Sequence, residues 1–138
     1  MAIHHINLRT TASAVDNLSA ISDAMAWLCG DAELMLTDRT TSYHGSEMFI
    51  LSAKISKNRA VASFLGKLKQ GEISVLAGDL AKRIDENNTL HFRLCLDSVI
   101  DQKISFAESG DKTVKCSIKI ESYPGDSPLE KISAELGI

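Results

Sequence analysis

Two stretches near the end of the chain alternate strictly between apolar and polar residues, and this pattern constrains the fold more than any other feature. The first stretch begins at Asn88 and the second spans residues 112–122. A period of two is that of a β-strand, and clean alternation indicates antiparallel strands with one buried face and one face in water. The apolar positions are Leu90, Phe92, Leu94, Leu96, Val114, Cys116, Ile118 and Ile120. The chain therefore needs a second layer to cover one side of a sheet.

Further segments supply the rest of the sheet and the helices that would cover it. Strands are also predicted at residues 3–9, 33–40, 48–55 and 103–107, the last followed by a hairpin turn at 108–111. Helical spacing of apolar residues predicts helices over 13–29, after Ser56, after Gly71 and, as a short final helix, from Ser127-Pro128. The order β-α-β-β-α-α-β-β-β-(α) predicts an α+β fold: a two-layer domain with a mostly antiparallel sheet and helices on one face.

The length of the chain suits one domain. Its 138 residues can bury enough surface to fold without a metal or a disulfide. We expect residues 1–122 to form a single α+β domain. Residues 123–138 would be an acidic tail with a short helix, because the last 18 residues hold four acids and one base.

Several classes of protein are disfavoured. No apolar run approaches the roughly 18 residues that span a bilayer, and the first residues lack a signal-peptide core, so we expect a cytoplasmic protein. Cys29, Cys95 and Cys116 are scattered, which is typical of reduced thiols and not of a disulfide framework or a zinc site. No catalytic, metal-binding or nucleotide-binding motif occurs. We therefore expect no enzyme activity, no metal and no cofactor.

Positive charge is concentrated locally although the net charge of the chain is −3. Residues 54–69 carry five bases and no acid, and the polar face of the two C-terminal strands collects more bases. Such surfaces attract phosphate groups. The sequence leaves open whether the helix and strand cations form one surface or two. The candidate phosphate contacts are Lys57, Arg59, Lys67, Lys69, Arg93, Lys115 and Lys119.

Three stretches also carry a family resemblance. They are RIDENNTLHFRL at residues 83–94, TVKCSIKI at 113–120, and Tyr43-His44-Gly45 before an apolar strand. Together they resemble a family of small archaeal RNA-binding proteins that are described as predicted exosome subunits. The resemblance covers roughly residues 3–122. Where that family continues with Asn-Pro-Ile and Asp-Lys-Gln, this chain has Ser46-Glu47-Met48 and Cys95-Leu96-Asp97.

The resemblance implies a fold like that of the large-subunit ribosomal protein that binds 5S RNA, and it places Tyr43 and His44 in a contact loop. The leading hypothesis is a non-enzymatic RNA-binding protein, an accessory of RNA processing or of the ribosome. Because few aromatic side chains are available to stack on bases, we expect contacts led by the backbone of structured RNA. The alternative is a protein–protein adaptor or homodimer without nucleic-acid binding. It would use strand edges and the C-terminal residues Leu129, Ile132 and Leu136.

Overall fold

The alternating segments pair into one five-stranded sheet in which every neighbouring pair is antiparallel. The computed structural model describes residues 2–41, 45–71 and 73–138. The spatial order of the strands is β2-β3-β1-β5-β4. The strands are β1 (Ile3–Ser13), β2 (Met35–Thr41), β3 (Glu47–Ile55), β4 (Thr89–Cys95) and β5 (Thr113–Ile120).

The helices lie against one side of this sheet. Their buried apolar residues form one cluster with the inward residues of the strands, such as Ile6, Leu51 and Ile118. The opposite side of the sheet carries no helix of the described chain and is called the outer face below. The helices are α1 (Leu18–Cys29), α2 (Asn58–Lys69), α3 (Ile73–Arg83), α4 (Leu96–Ile100) and α5 (Pro128–Leu136), with a short 3-10 helix at Ala32–Leu34. The predicted two-layer α+β fold is confirmed.

Strand β1 is longer than the sequence indicated, and α1 is correspondingly shorter. Ser13, predicted to cap a helix over 13–29, instead pairs with Met48 in the β1–β3 ladder. The alternation continues because Thr10 can be buried: its hydroxyl donates to the carbonyl of Thr113 at 2.9 Å. The cap of α1 is Asn17, whose side chain accepts from the amide of Ala20. Gly30 ends the helix in the left-handed region, as predicted.

The segment 103–107, predicted as a strand, is reduced to a single bridge between Phe106 and Leu94. The predicted hairpin with the following strand does not form because both edges of β5 are occupied, one by β1 and the other by β4. The segment therefore lies beyond β4, at the edge of the sheet. Helix α4 occupies part of the connection between β4 and β5.

The C-terminal segment folds back on the rest of the chain. Ile132 and Leu136 of α5 are buried in the helical layer. Lys131 forms an ion pair with Asp126 at 2.8 Å and donates to the carbonyl of Glu121 at 3.0 Å. The acidic segment thus lies with the helices and leaves the outer face uncovered. Of the helices in the described part of the chain, none has the length and apolar character needed to cross a membrane.

Asp16 connects the β1–α1 turn to the segment before β5. Its carboxylate accepts from the backbone amide and hydroxyl of Ser13 at 2.8 and 3.1 Å, and from Lys112 at 2.6 Å. These donors, with Lys112 as the largest cause, lower the pKa of Asp16 to about 2. The ionised carboxylate is therefore part of the folded structure.

We predict that Asp16→Asn lowers the free energy of unfolding by about 1 kcal/mol at neutral pH, because charge-assisted hydrogen bonds are lost. The folded pKa is depressed, so the stabilisation is present above the ordinary carboxyl pKa and is lost as pH falls from about 4 towards 2. Urea denaturation across this pH range measures the effect. An equal loss at pH 2 and pH 7 would contradict the role of the ionised form.

Candidate functional site

A row of cations crosses three adjacent strands on the outer face of the sheet. Lys115 of β5 pairs directly with Arg9 of β1 on one side and with Arg93 of β4 on the other. Residues at such positions have Cβ atoms about 4.5–5.5 Å apart, and their side chains project from the same face. All three side chains are exposed to solvent. The outer face therefore carries three permanent positive charges side by side, called the cation row below.

This arrangement is unfavourable for the sheet itself. Like charges directly opposite one another in a ladder are destabilising. Within residues 2–41, 45–71 and 73–138, no carboxylate forms an ion pair with a member of the cation row. The row is thus not neutralised by a carboxylate of the described residues, which is typical of a surface that binds an anionic partner.

Further basic groups extend the positive potential across the outer face. His5 of β1 lies opposite Lys119 of β5, and Lys54 of β3 lies one pair further along, opposite Asn7. The pKa of His5 is lowered, first by partial burial and then by the nearby charges of Lys54, His4 and Lys119. The depressed pKa reflects a local environment that disfavours additional positive charge.

The turn between α3 and β4 is built by one carboxylate. Asp85 accepts from the backbone amides of Asn87 and Thr89 at 2.8 and 3.1 Å through one oxygen, and it contacts Nε2 of His91 at 2.7 Å through the other. The pKa of Asp85 is lowered mainly by the hydrogen bond to His91. Lys119 donates to the carbonyl of Asn87 in the same turn. This turn lies within the motif at residues 83–94, and it brings the end of α3 beside the outer face.

The helical cations predicted from the sequence lie on a different surface. Lys57 precedes α2, and Arg59, Lys67 and Lys69 belong to it. Helix α2 buries Val61, Phe64, Leu65 and Leu68 in the helical layer, on the side of the sheet away from the cation row.

Lys67 has a structural role that distinguishes it from the other three. Its ammonium donates to the carbonyl of Trp27 at the end of α1 and lies 5.2 Å from the centre of the Trp27 ring. Burial lowers the pKa of Lys67.

The structure thus divides the predicted contacts into two surfaces. Arg93, Lys115 and Lys119 lie together on the outer face, whereas the four helical cations do not join them. Tyr43 and His44 lie outside the described residues. Sequence reasoning missed Arg9 as a member of the site, although it stands on the polar side of the first alternating strand. No sequence signal pairs β1 with β5, so its place beside Lys115 was not predictable.

The family pattern has a lysine where this chain has Leu96, but this position does not lie on the outer face. Leu96 begins α4 and is buried in the core, with 1% of its surface exposed. The outer face keeps its cation at Arg93, on the preceding strand.

The described residues contain no group of three or more His, Cys, Asp or Glu side chains placed to hold a metal ion. The three cysteines are free thiols, and Cys29 and Cys116 are buried. Burial raises the pKa of the Cys29 and Cys116 thiols, which keeps both protonated at neutral pH. They therefore behave as core side chains.

We predict that Lys67→Gln lowers the free energy of unfolding by about 1 kcal/mol, because the cation–ring contact and a hydrogen bond to a backbone carbonyl are lost. Urea denaturation followed by fluorescence of Trp27, the one tryptophan of the chain, measures this. Lys69→Gln makes the same change of charge on the exposed side of α2 and serves as control. Equal stability of the two variants would show that the Trp27 contact contributes nothing.

We predict that Lys115→Glu raises the free energy of unfolding by about 1 kcal/mol, because two repulsive cross-strand pairs become attractive. Thermal and urea denaturation measure the change. Lys103→Glu alters the net charge equally but lies outside the cation row, so it separates the cross-strand effect from net charge. A Lys115→Glu protein no more stable than the Lys103→Glu control would remove the argument from like-charge repulsion.

Comparisons with known proteins agree with this fold. A DUF54 protein from Methanothermobacter thermautotrophicus, Mth689, is 23% identical with a TM-score of 0.81, over 97% of this chain and 98% of that one. The protein AF2318 from Archaeoglobus fulgidus is 18% identical with a TM-score of 0.80, over 96% and 99% of the chains. A UPF0201 protein from Methanococcus jannaschii is 9% identical with a TM-score of 0.64, over 96% and 98%. At these identities the likeness shows a shared fold.

No curated protein matches the sequence. A family model described as RNA binding matches residues 5–121, which include all three residues of the cation row. The family resemblance seen in the sequence is confirmed: the chain, which shares its fold with these archaeal DUF54 and UPF0201 proteins, belongs to the family described as RNA binding.

Proposed function

We propose that this protein is a non-enzymatic RNA-binding protein that contacts the sugar–phosphate backbone through the outer face of its sheet. The observation that carries the proposal is the cation row, in which Arg9, Lys115 and Arg93 stand in register across three strands. Phosphate groups would neutralise the repulsion within the row. Binding would therefore be favoured by relief of the like-charge repulsion that destabilises the free protein. The description of the family supports the same conclusion.

The side chains around the cation row favour structured RNA over unpaired bases. Many outward strand residues beside it carry hydroxyl or amide groups, and none carries a phenyl, phenol or indole ring: Asn7, Thr11, Ser52, Thr89, Thr113 and Ser117. Three apolar side chains, Leu36, Ile50 and Cys95, share this face opposite Ser52, Thr11 and Thr113. Unpaired bases are usually held by stacking on aromatic rings. Hydroxyl and amide groups suit the phosphates and 2′-hydroxyls that a base-paired RNA helix displays. We therefore infer recognition led by backbone and shape.

The net charge of −3 does not oppose this function, because binding depends on the local charge of the surface that meets the RNA. One acid, Asp38, shares the outer face, but it lies on the edge strand β2, two strands away from Arg9. The acids Asp126 and Glu135 lie in the C-terminal segment, where Asp126 pairs with Lys131 and Glu135 accepts from the amide of Ala2. The outer face retains its positive potential at close range, and at physiological salt such potentials act over about 8 Å.

We predict salt-dependent binding to a labelled RNA hairpin. If about five phosphates are neutralised, the logarithm of the association constant falls with the logarithm of salt concentration at a slope of about −3.5 to −4.5. The triple variant Arg9→Gln, Lys115→Gln and Arg93→Gln should bind about tenfold or more weakly and flatten the slope by about 2 to 3. Fluorescence anisotropy at several salt concentrations measures both quantities.

A second triple variant compares the two cationic surfaces directly. Lys57→Gln, Arg59→Gln and Lys69→Gln remove the same number of charges from the helical layer and leave Lys67 and its contact with Trp27 intact. We expect this variant to retain most of the salt slope. If it loses binding while the cation-row variant binds normally, the helical surface is the RNA site and the outer face is not.

Finer aspects of this function stay predictions. The family resemblance suggests an accessory role in RNA processing, including the exosome, or at the ribosome, together with a cytoplasmic location. A protein–protein adaptor or homodimer is the alternative. Of its three C-terminal contact residues, Leu129 is exposed, whereas Ile132 and Leu136 are buried in the protein's own core, which weakens it. Absence of RNA binding at low salt by a folded protein would favour that alternative.

A further inference from the structure

A groove opens at the edge of the outer face, where the end of α3 meets β4 and β5. It encloses about 760 Å³. This volume lies within the range of about 300–1,000 Å³ that is typical of small-ligand sites. The polar side chains that line it are Lys82, Arg83, Asp85, His91, Arg93 and Lys115. It is called the terminal groove below.

The terminal groove concentrates positive charge. Four permanently charged bases line it and one acid does, and that acid is already engaged. Asp85 accepts from two backbone amides of its own turn and contacts the ring of His91, and among the described residues it forms no ion pair with a lysine or arginine of the groove. Arg83 approaches Asp79 only at 3.7 Å, on an exposed helix surface. This distance is longer than a charge-assisted hydrogen bond, which leaves the guanidinium available.

His91 adds an oriented donor to the groove. Its Nε2 is held by Asp85 at 2.7 Å, which fixes the ring and leaves Nδ1 for a second partner. A protonated ring would donate from Nδ1 while still donating to Asp85. Arg83 and Arg93 supply planar forks that match the oxygens of a phosphate group in pairs.

The charge balance of the groove fits a phosphate with two negative charges better than one with a single charge. An internal phosphodiester carries one negative charge, whereas a terminal phosphomonoester carries about −1.5 to −2 at neutral pH. Arg93 and Lys115 of the cation row also line the groove, which adds Lys82 and Arg83 to that end of the row. We propose that the terminal groove binds the terminal phosphate of an RNA strand, with Arg83, Arg93 and His91 as ligands. This inference rests on the proposed RNA binding and assigns it a preference for phosphorylated ends.

The test compares three otherwise identical RNA hairpins that carry a 5′-phosphate, a 3′-phosphate or hydroxyls only. We expect one phosphorylated form to bind about tenfold more tightly than the hydroxyl form, the value of one added charge-assisted hydrogen bond. The Lys82→Gln, Arg83→Gln variant should lose this preference and still bind the hydroxyl form. Lys103→Gln, Arg39→Gln removes the same charge away from the groove and should keep the preference. The phosphorylated form that binds more tightly shows whether the groove prefers a 5′ or a 3′ terminal phosphate.

Equal affinity for all three hairpins would overturn the terminal-phosphate site and leave the proposed RNA binding standing. A titration with adenosine 5′-monophosphate, followed by amide NMR shifts and compared with adenosine, tests the groove without any RNA. Shifts at residues 83, 91 and 93 with the nucleotide alone would support the site even if no hairpin binds. Identical shifts with nucleotide and nucleoside, or none with either, would overturn it.

Discussion

The pairing of β5 between β1 and β4 is the constraint on which the rest of this structure depends. The last strand of the chain, β5, pairs with the first strand, β1, and so connects the N-terminal strands to β4 at the edge of the sheet. Its inward residues, such as Cys116 and Ile118, belong to the core, and its outward residue Lys115 defines the cation row. One ladder therefore sets both the packing of the domain and the electrostatics of the exposed face.

The two faces of the sheet contribute to stability in opposite directions. The inner face is apolar and covered, and burying it supplies most of the stability of a domain of this size. The outer face places like charges opposite one another, which costs stability and gains nothing from burial. The sheet tolerates this loss of stability because outward side chains alternate with inward ones along each strand. Outward side chains can therefore change without altering the packing of the core. This independence is what lets a stable domain present a surface suited to a polyanion.

The turn at residues 83–94 shows how local chemistry positions distant groups. Asp85 closes the turn through two backbone amides and orients His91 through its second oxygen. The turn also pairs Ile84 with Leu90, which draws the end of α3 to the edge of β4. Arg83 and Arg93 thereby meet across one groove. The polar residues of this motif thus become part of the wall of a charged groove in the fold.

The sequence by itself determined, for most strand and helix positions, which residues are core and which are solvent-facing, because the period of a strand or helix is a local property. Thr10, a buried polar residue, is an exception. The two alternating C-terminal strands, the end of α1 at Gly30 and the two-layer class all followed from the sequence, as did Arg93 and Lys115 as outward cations, although β4 ends at Cys95 and Leu96, predicted in the strand, begins α4. Only the tertiary structure decided the strand order, which made Arg9 a neighbour of Lys115, separated the α2 cations from the sheet and reduced residues 103–107 to one bridge. The physical reason is that antiparallel strands of similar pattern can pair in many orders. The order formed is selected by packing between parts of the chain that are far apart in sequence.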